Sequence, residues 1–191
     1  MRRKQEDMDS PKKQEAADST SAHLGWRVGY LFGAIGIYLL DQASKAWAAN
    51  NLRYGEDRTI ISGFLDLIYT ENRGIAFGQF QEGGHFGRWL LVALASAASL
   101  TVLYYFFRAP RNDDRTLGAC ALLLAGIAGN LTDRARLGYV VDFIAAHAGD
   151  YYWPTFNVAD ASICVGAILL AYDLILASRK EHQERARHRV V

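Results

Sequence analysis

The sequence predicts an all-α membrane protein, with four transmembrane helices and a small extracytoplasmic β-sheet between helices 1 and 2. Three observations carry that expectation. Four apolar blocks of about 20 residues, the length a helix needs to cross the hydrocarbon core, are spread along a chain of 191 residues. Lys and Arg collect in alternate connecting segments. The long segment between the first two blocks alternates β-branched and aromatic residues with Gly and Asn, the pattern of short strands and tight turns.

Residues 1–25 hold five basic and five acidic side chains among Ser, Gln and Pro, with almost nothing apolar to bury. They are expected to be a disordered, charged cytoplasmic tail. The first span, about 26–47 (WRVGYLFGAIGIYLLDQASKAW), follows that tail and exceeds a normal signal-peptide core, so it is expected to stay as a helix. Segment 50–87 carries TIISGFLDLIYTENRGIAFGQF, where short strands and a tight connection at Asn72 and Gly74 are expected on the membrane surface. The second span is about 88–107, the third about 116–132 and the fourth about 158–177. The third is marginally short. The four-helix domain is thus bounded at 26–178, and 179–191 is a basic cytoplasmic tail with helical propensity, either resting on anionic lipid or serving as a stop-transfer anchor.

The loops set the orientation. Segments 1–25, 108–115 and 178–191 hold thirteen Lys and Arg, whereas 50–87 and 133–157 hold three and two. The positive-inside rule places both termini in the cytoplasm and the two longer loops outside. Trp47, Trp89 and Trp153 fall at predicted outer ends, and Trp26 and Tyr104 to Phe107 at inner ends, as interfacial belts do. A net charge of +1 gives no sign of a nucleic-acid partner. Cys120 and Cys164 are expected at opposite depths, so no disulfide is expected.

The charged residues near the outer ends raise the functional question, because charge beside a membrane is costly unless paired or used. Asp41 and Lys45 are four apart and share a helix face; they are either a neutralised pair or a pair that positions other groups. Asn130 and Asp133 end the third span with Arg134 beside them, and Asp133 is expected to need Arg134 or another donor against the helix dipole. Asp142 lies in YVVDFI, an extended stretch. Asp160 follows Asn157 by three in FNVAD, which resembles a capping box at the start of the fourth helix. Residues 143–159 contain no Lys or Arg, so nothing basic between Asp142 and Asp160 neutralises either. Two carboxylates sharing a partly desolvated site tend to hold one proton. One can then activate water while the other protonates a carbonyl oxygen or leaving amine.

Other chemistries fit less well. The five histidines show no metal-ligand spacing, there is no G-x-S-x-G elbow, and the cysteines have no activating neighbour. Neither a metal nor an organic cofactor is expected. A four-helix transporter or assembly factor, whose charges relay protons or hold helices together, remains the alternative. A different class of membrane peptidase would need a Tyr-Asp motif paired with Gly-x-Gly-Asp, and the pair is absent because the sequence has no Gly-x-Gly-Asp.

Four stretches together resemble the bacterial lipoprotein signal peptidases (signal peptidase II): DQASK at 41–45, ENRGIAFG at 71–78, GNLTDRARLGYVVDF at 129–143 and FNVADASICVG at 156–166. They fall in the family's order on a four-span plan. The resemblance implies an inner-membrane aspartyl endopeptidase, monomeric in the bilayer, whose partners are prolipoproteins carrying a diacylglyceryl-cysteine. Cleavage falls just before that cysteine, at the outer face. The family's catalytic dyad maps onto Asp142 and Asp160. Asp41, Lys45, Asn72, Gly74, Asn130, Asp133, Arg134 and Asn157 map onto supporting positions, and segment 50–87 onto the family's β-cradle. The long charged N-terminal tail and Ile127 depart from the pattern.

Overall fold

α3 (Asp114–Arg136) is the axis of the molecule, and α1 (Arg3–Asn51), α2 (Gly84–Arg108) and α4 (Val158–His188) each pack against it. The computed structural model describes residues 3–74, 84–110 and 113–188. α3 can be central because its small residues let neighbours approach. A Cβ at Gly126 would collide with the Ala159 carbonyl oxygen and Ile163 of α4, and one at Gly166 would meet the Ala119 carbonyl oxygen and Leu123 of α3. The outer faces of α2 and α4 are apolar and exposed, as at Leu94, Leu100, Ile168 and Leu174, which suits helices facing lipid rather than water.

Among the described residues, three helices are long and apolar enough to cross a membrane: Phe86–Arg108, Asp114–Arg136 and Val158–Leu176. The third predicted span is therefore a full 23-residue helix, longer than its apolar run, because Asn130 and Asp133 continue the helix on its buried face. α1 is not among the three. Its apolar run breaks at Asp41, Gln42 and Lys45, side chains that turn inward. α1 also begins at Arg3, where composition leads to the expectation of a disordered tail. The Lys, Glu, Gln and Ala of that stretch are good helix formers even without an apolar face to pack. α4 likewise runs on to His188, through most of the basic C-terminal segment.

The sheet corrects the sequence-based expectation. It has four antiparallel strands in the order β1 (Arg58–Ile61), β2 (Leu65–Asn72), β3 (Val140–Ala148), β4 (Tyr151–Tyr152). Half of its strands thus come from the segment between α3 and α4, not from the one between the first two helices. Pairing of β2 with β3 joins residues some 70 positions apart, as in Thr70↔Asp142 and Asn72↔Val140, and local alternation carries no signal of that. Asn72 Oδ1 accepts the Gly74 main-chain N–H at 3.2 Å, the expected tight connection. Residues 75–78 of the GIAFG stretch lie outside the described residues.

The turn from α3 into β3 is fixed by Asp133 and Gly138. Gly138 takes φ +87°, a left-handed conformation that ends a helix at little cost, and Leu137 and Gly138 both donate to the Asp133 carbonyl. β3 then packs on the end of α1, where Ala48, Leu52, Val141 and Phe143 form a buried cluster. At the opposite end of the bundle, Trp26 and Tyr30 both donate to Asp114. Asp173 accepts from Thr116 and lies 3.8 Å from Arg115. Cys120 and Cys164 are both free.

Candidate active site

Two clusters of acidic side chains meet where α1, α3, β3 and the start of α4 converge. The first is built on Lys45. Asp41, Lys45 and Ala48 form a buried stripe on α1, continued by Leu52 just past its end, at the three- and four-residue spacing of one helix face. Gly129, Asn130 and Asp133 do the same on α3. Lys45 Nζ lies 2.9 Å from Asp41 Oδ2 and 3.0 Å from Asp133 Oδ2, and donates to Asn130 Oδ1 at 2.9 Å. All three charged side chains are at least 95% buried.

Their remaining oxygens are occupied. Asp41 Oδ1 accepts the Ala159 N–H at 2.8 Å, tying α1 to the first turn of α4. Asp133 Oδ2 accepts the Val141 N–H at 3.2 Å, and Gln42 Nε2 lies 3.2 Å from both Asp41 Oδ2 and Asp133 Oδ1. Gly129 leaves room for Asp41, whose carboxylate occupies the place a Cβ would take. This cluster, two carboxylates sharing one ammonium, is a frame that ties α1, α3, β3 and α4 together.

The second cluster has no such cation. Asp142, 1% exposed on β3, is held by two amides: Asn157 Nδ2 donates to Oδ1 at 2.7 Å and Asn72 Nδ2 to Oδ2 at 3.0 Å. Asp160 forms the expected capping box. Its main-chain N–H donates to Asn157 Oδ1 at 2.9 Å, and its Oδ2 accepts the Asn157 N–H at 3.2 Å. Asp160 Oδ1 accepts from Asn130 Nδ2 at 2.7 Å. Fully buried Asn157 therefore bridges the two aspartates, and Asn130 links Asp160 back to Lys45.

Among the described residues, neither Asp142 nor Asp160 makes an ion pair. Burial pushes the Asp142 carboxyl up to about 6. The Asn72 hydrogen bond opposes the rise, the Asp160 charge adds to it, and Asn157 and Lys45 oppose it. Arg134, half-buried on α3, faces this pair; its charge acts most on Asp160, then on Asp142 and Asp133. Of the donors expected for Asp133, Arg134 or another, the structure supplies another, Lys45 on α1. Adjacent helical residues point about 100° apart, so Asp133 turns to α1 and Arg134 to the other cluster.

The likeness to known proteins agrees with this geometry. A family profile described as signal peptidase (SPase) II matches residues 33–176. The lipoprotein signal peptidase of Ralstonia nicotianae is 40% identical over 171 residues, covering 88% of this chain and 96% of that protein. That of Teredinibacter turnerae is 38% identical over 146 residues, covering 76% and 86%. The chain belongs to the signal peptidase II family.

Signal peptidase II is a family of aspartic peptidases, so the chain is an aspartic endopeptidase and not a transporter or assembly factor. Two solved structures of a bacterial membrane enzyme, obtained by the in meso method at 2.3 Å and 1.9 Å, superpose with TM-scores of 0.70 and 0.69. They are 29% and 28% identical and cover 78% and 76% of this chain, and 89% and 92% of theirs. A bacterial membrane enzyme is thus the fold's counterpart.

In this family member the structure brings together Asp41, Lys45, Asn72, Asn130, Asp133, Arg134, Asp142, Asn157 and Asp160, with Gly74 fixing the Asn72 amide. Gln42 was missed by sequence reasoning, although it lies inside the DQASK stretch. Its position beside Asp41 hid it, since neighbours in a helix face apart, yet a long amide reaches around to both carboxylates. The main-chain donors of Ala159 and Val141 have no signature in sequence.

Proposed function

We propose that this protein removes the signal peptide from diacylglyceryl-modified prolipoproteins, cutting immediately before the lipidated cysteine with Asp142 and Asp160 as the catalytic dyad. The observation that carries the assignment is the contrast in partners. Four carboxylates lie in one layer; Asp41 and Asp133 share Lys45, whereas Asp142 and Asp160 are held by amides and main-chain N–H groups and keep the freedom to exchange a proton.

In this mechanism the dyad shares one proton, with Asp142 as its resting holder because burial raises that carboxyl to about 6. Asp160 takes a proton from a water as the water oxygen attacks the scissile carbonyl carbon, and Asp142 gives its proton to the carbonyl oxygen. The resulting gem-diol collapses: one of its hydroxyls returns a proton to Asp142 as the C–N bond breaks, the amine of the lipidated cysteine leaves with the proton held by Asp160, and the new carboxyl stays on the signal peptide. The chemistry draws on water and two carboxyl groups. Arg134 supplies positive charge beside the dyad, limiting repulsion as charge shifts. Asn72, Gly74, Asn130 and Asn157 keep the carboxylates oriented, while Asp41, Lys45 and Asp133 hold the elements that carry them.

The same proposal sets the protein in the bacterial inner membrane as a monomer with four spans, both termini cytoplasmic and the dyad at the outer face. The Lys and Arg distribution supports the orientation, and the exposed Trp89 and Trp153 at the sheet end of the bundle suit an outer interface. The substrate's acyl chains then deliver the scissile bond at the depth of the dyad, partition being worth ~0.8 kcal/mol per buried CH₂. The test is cleavage of a purified diacylglyceryl-modified prolipoprotein by detergent-solubilised protein. Wild type is compared with Asp142→Asn, Asp160→Asn and Asp133→Asn at matched thermal stability. Loss of turnover in the first two with residual turnover in the third supports the dyad; turnover retained in either of the first two defeats it.

A further inference from the structure

Behind the Asn72 end of β2 lies a charged cluster that the dyad does not use. Glu71 Oε2 accepts from Arg73 Nη2 at 2.6 Å, and Glu71 Oε1 accepts from Arg53 Nη2 at 3.4 Å. Tyr69 Oη lies 3.4 Å from the same Oε1 and 3.3 Å from Tyr139 Oη. Each arginine also covers an aromatic ring, Arg53 over Tyr69 and Arg73 over Tyr139, both at 5.6 Å. The cluster thus gathers the turn after α1, the end of β2 and the turn between α3 and β3 around one carboxylate.

Strand register fixes its relation to the dyad. Glu71 pairs with Val141, while Thr70 pairs with Asp142 and Asn72 with Val140. Side chains alternate along a strand, so Glu71 points to the opposite face from Asn72 and Asp142. Asn72 holds Asp142 through a turn of three residues, its Oδ1 on the Gly74 N–H and its Nδ2 on Asp142. Arg73 is the residue between, and its short ion pair with Glu71 closes that turn from behind.

We propose that Glu71 is a positioning residue for the peptidase reaction: it latches the end of β2 from the back of the sheet so that the Asn72 amide stays on Asp142. This rests on Asp142 being half of the dyad. The groups facing Asp142 are Asn72 on β2, Asn157 just before α4, Asp160 on α4, Lys45 on α1 and Arg134 on α3. Of these, Asn72 is the one the latch holds. Losing its donor removes the strongest influence that keeps the Asp142 carboxyl down, so its ionisation moves to higher pH.

The experiment is a pH profile of kcat and KM on the diacylglyceryl-modified prolipoprotein for wild type, Glu71→Gln, Glu71→Asp, Asn72→Ala and the Glu71→Gln/Asn72→Ala double variant. Glu71→Gln is expected to lower kcat roughly five- to tenfold with little change in KM, as one charge-assisted hydrogen bond is weakened. It should also move the Asp142 limb to higher pH, in the direction of Asn72→Ala. Glu71→Asp should recover part of both effects, and the double variant should be no worse than Asn72→Ala alone. Should Glu71→Gln not fold, exposed Arg73→Gln tests the same latch. An unmoved limb, or fully additive losses in the double variant, overturns the proposal while leaving the dyad intact. Turnover surviving in Asp142→Asn would instead overturn the dyad itself, and the latch with it.

Discussion

The Lys45 cluster and the Asp142–Asp160 pair are neighbours in one buried layer, joined through Asn130, and each contains two carboxylates. They differ in what compensates the charge. Asp41 and Asp133 have a lysine between them, buried with them, whose loss would leave two uncompensated buried charges. Asp142 and Asp160 have amides, which donate hydrogen bonds but carry no charge. An ion pair fixes a carboxylate's charge state and makes it a structural part, whereas amide donors fix its position and leave its proton exchangeable. Sequence type alone does not separate these roles; the identity of the partner does.

The sharpest way to break the comparison is to remove charge from each side in turn. Asp142→Asn or Asp160→Asn is expected to lower kcat by ~10³-fold or more, since acid and base catalysis are both lost, with thermal unfolding no earlier than wild type. Lys45→Met should do the reverse, costing about 3–5 kcal/mol of stability by stranding Asp41 and Asp133, read as an earlier unfolding transition in detergent.

A smaller effect sharpens the contrast through pH. Asp142 ionises near 6 in the folded protein and close to the ordinary aspartate value of ~3.9 when unfolded. The folded state therefore binds the extra proton between those values, and stability falls as pH rises through that window. The difference between wild type and Asp142→Asn isolates this contribution, which should reach roughly 3 kcal/mol by pH 7. A flat difference between pH 4 and 7 would show that the carboxyl is not shifted. In turnover, kcat/KM should decline as the dyad loses its shared proton above about pH 6, and the kcat limb should lie higher because bound substrate excludes water. The smallest change is Gly129→Ala. Its methyl group displaces the Asp41 carboxylate, and overpacking of this kind costs about 1–3 kcal/mol, detectable as a lower unfolding midpoint with the dyad chemistry retained.

Much of this was legible in residues 26–178. The Asp41–Lys45 pair followed from four-residue spacing, and the Asn157–Asp160 capping box from a three-residue one. Both are local, so the helix itself enforces them. The extended setting of Asp142 was legible from its β-branched neighbours. That Asp133 needs a donor was legible, but which one was not: adjacent positions in a helix diverge, and Lys45, 88 positions away, rather than Arg134, is the partner in space. The sheet was half legible. TIISGFLDLIYTEN carried the alternation that β1 and β2 display, whereas the role of 140–152 as the other two strands depends on long-range pairing.

Hydrophobic length, local spacing and residue identity are properties of the chain, and they specify the helices that lipid can accept, the lack of basic residues between Asp142 and Asp160, and the motifs that place the chain in its family. Which carboxylates share a lysine and which are held by amides is settled by the fold. It does so by close packing on α3: glycines at 126 and 129 admit α4 and Asp41, Lys45 enters between two aspartates, and β3 carries Asp142 into reach of Asn72 and Asn157. Charge compensation acts over a few ångströms, and the chain alone does not say which groups will be that close.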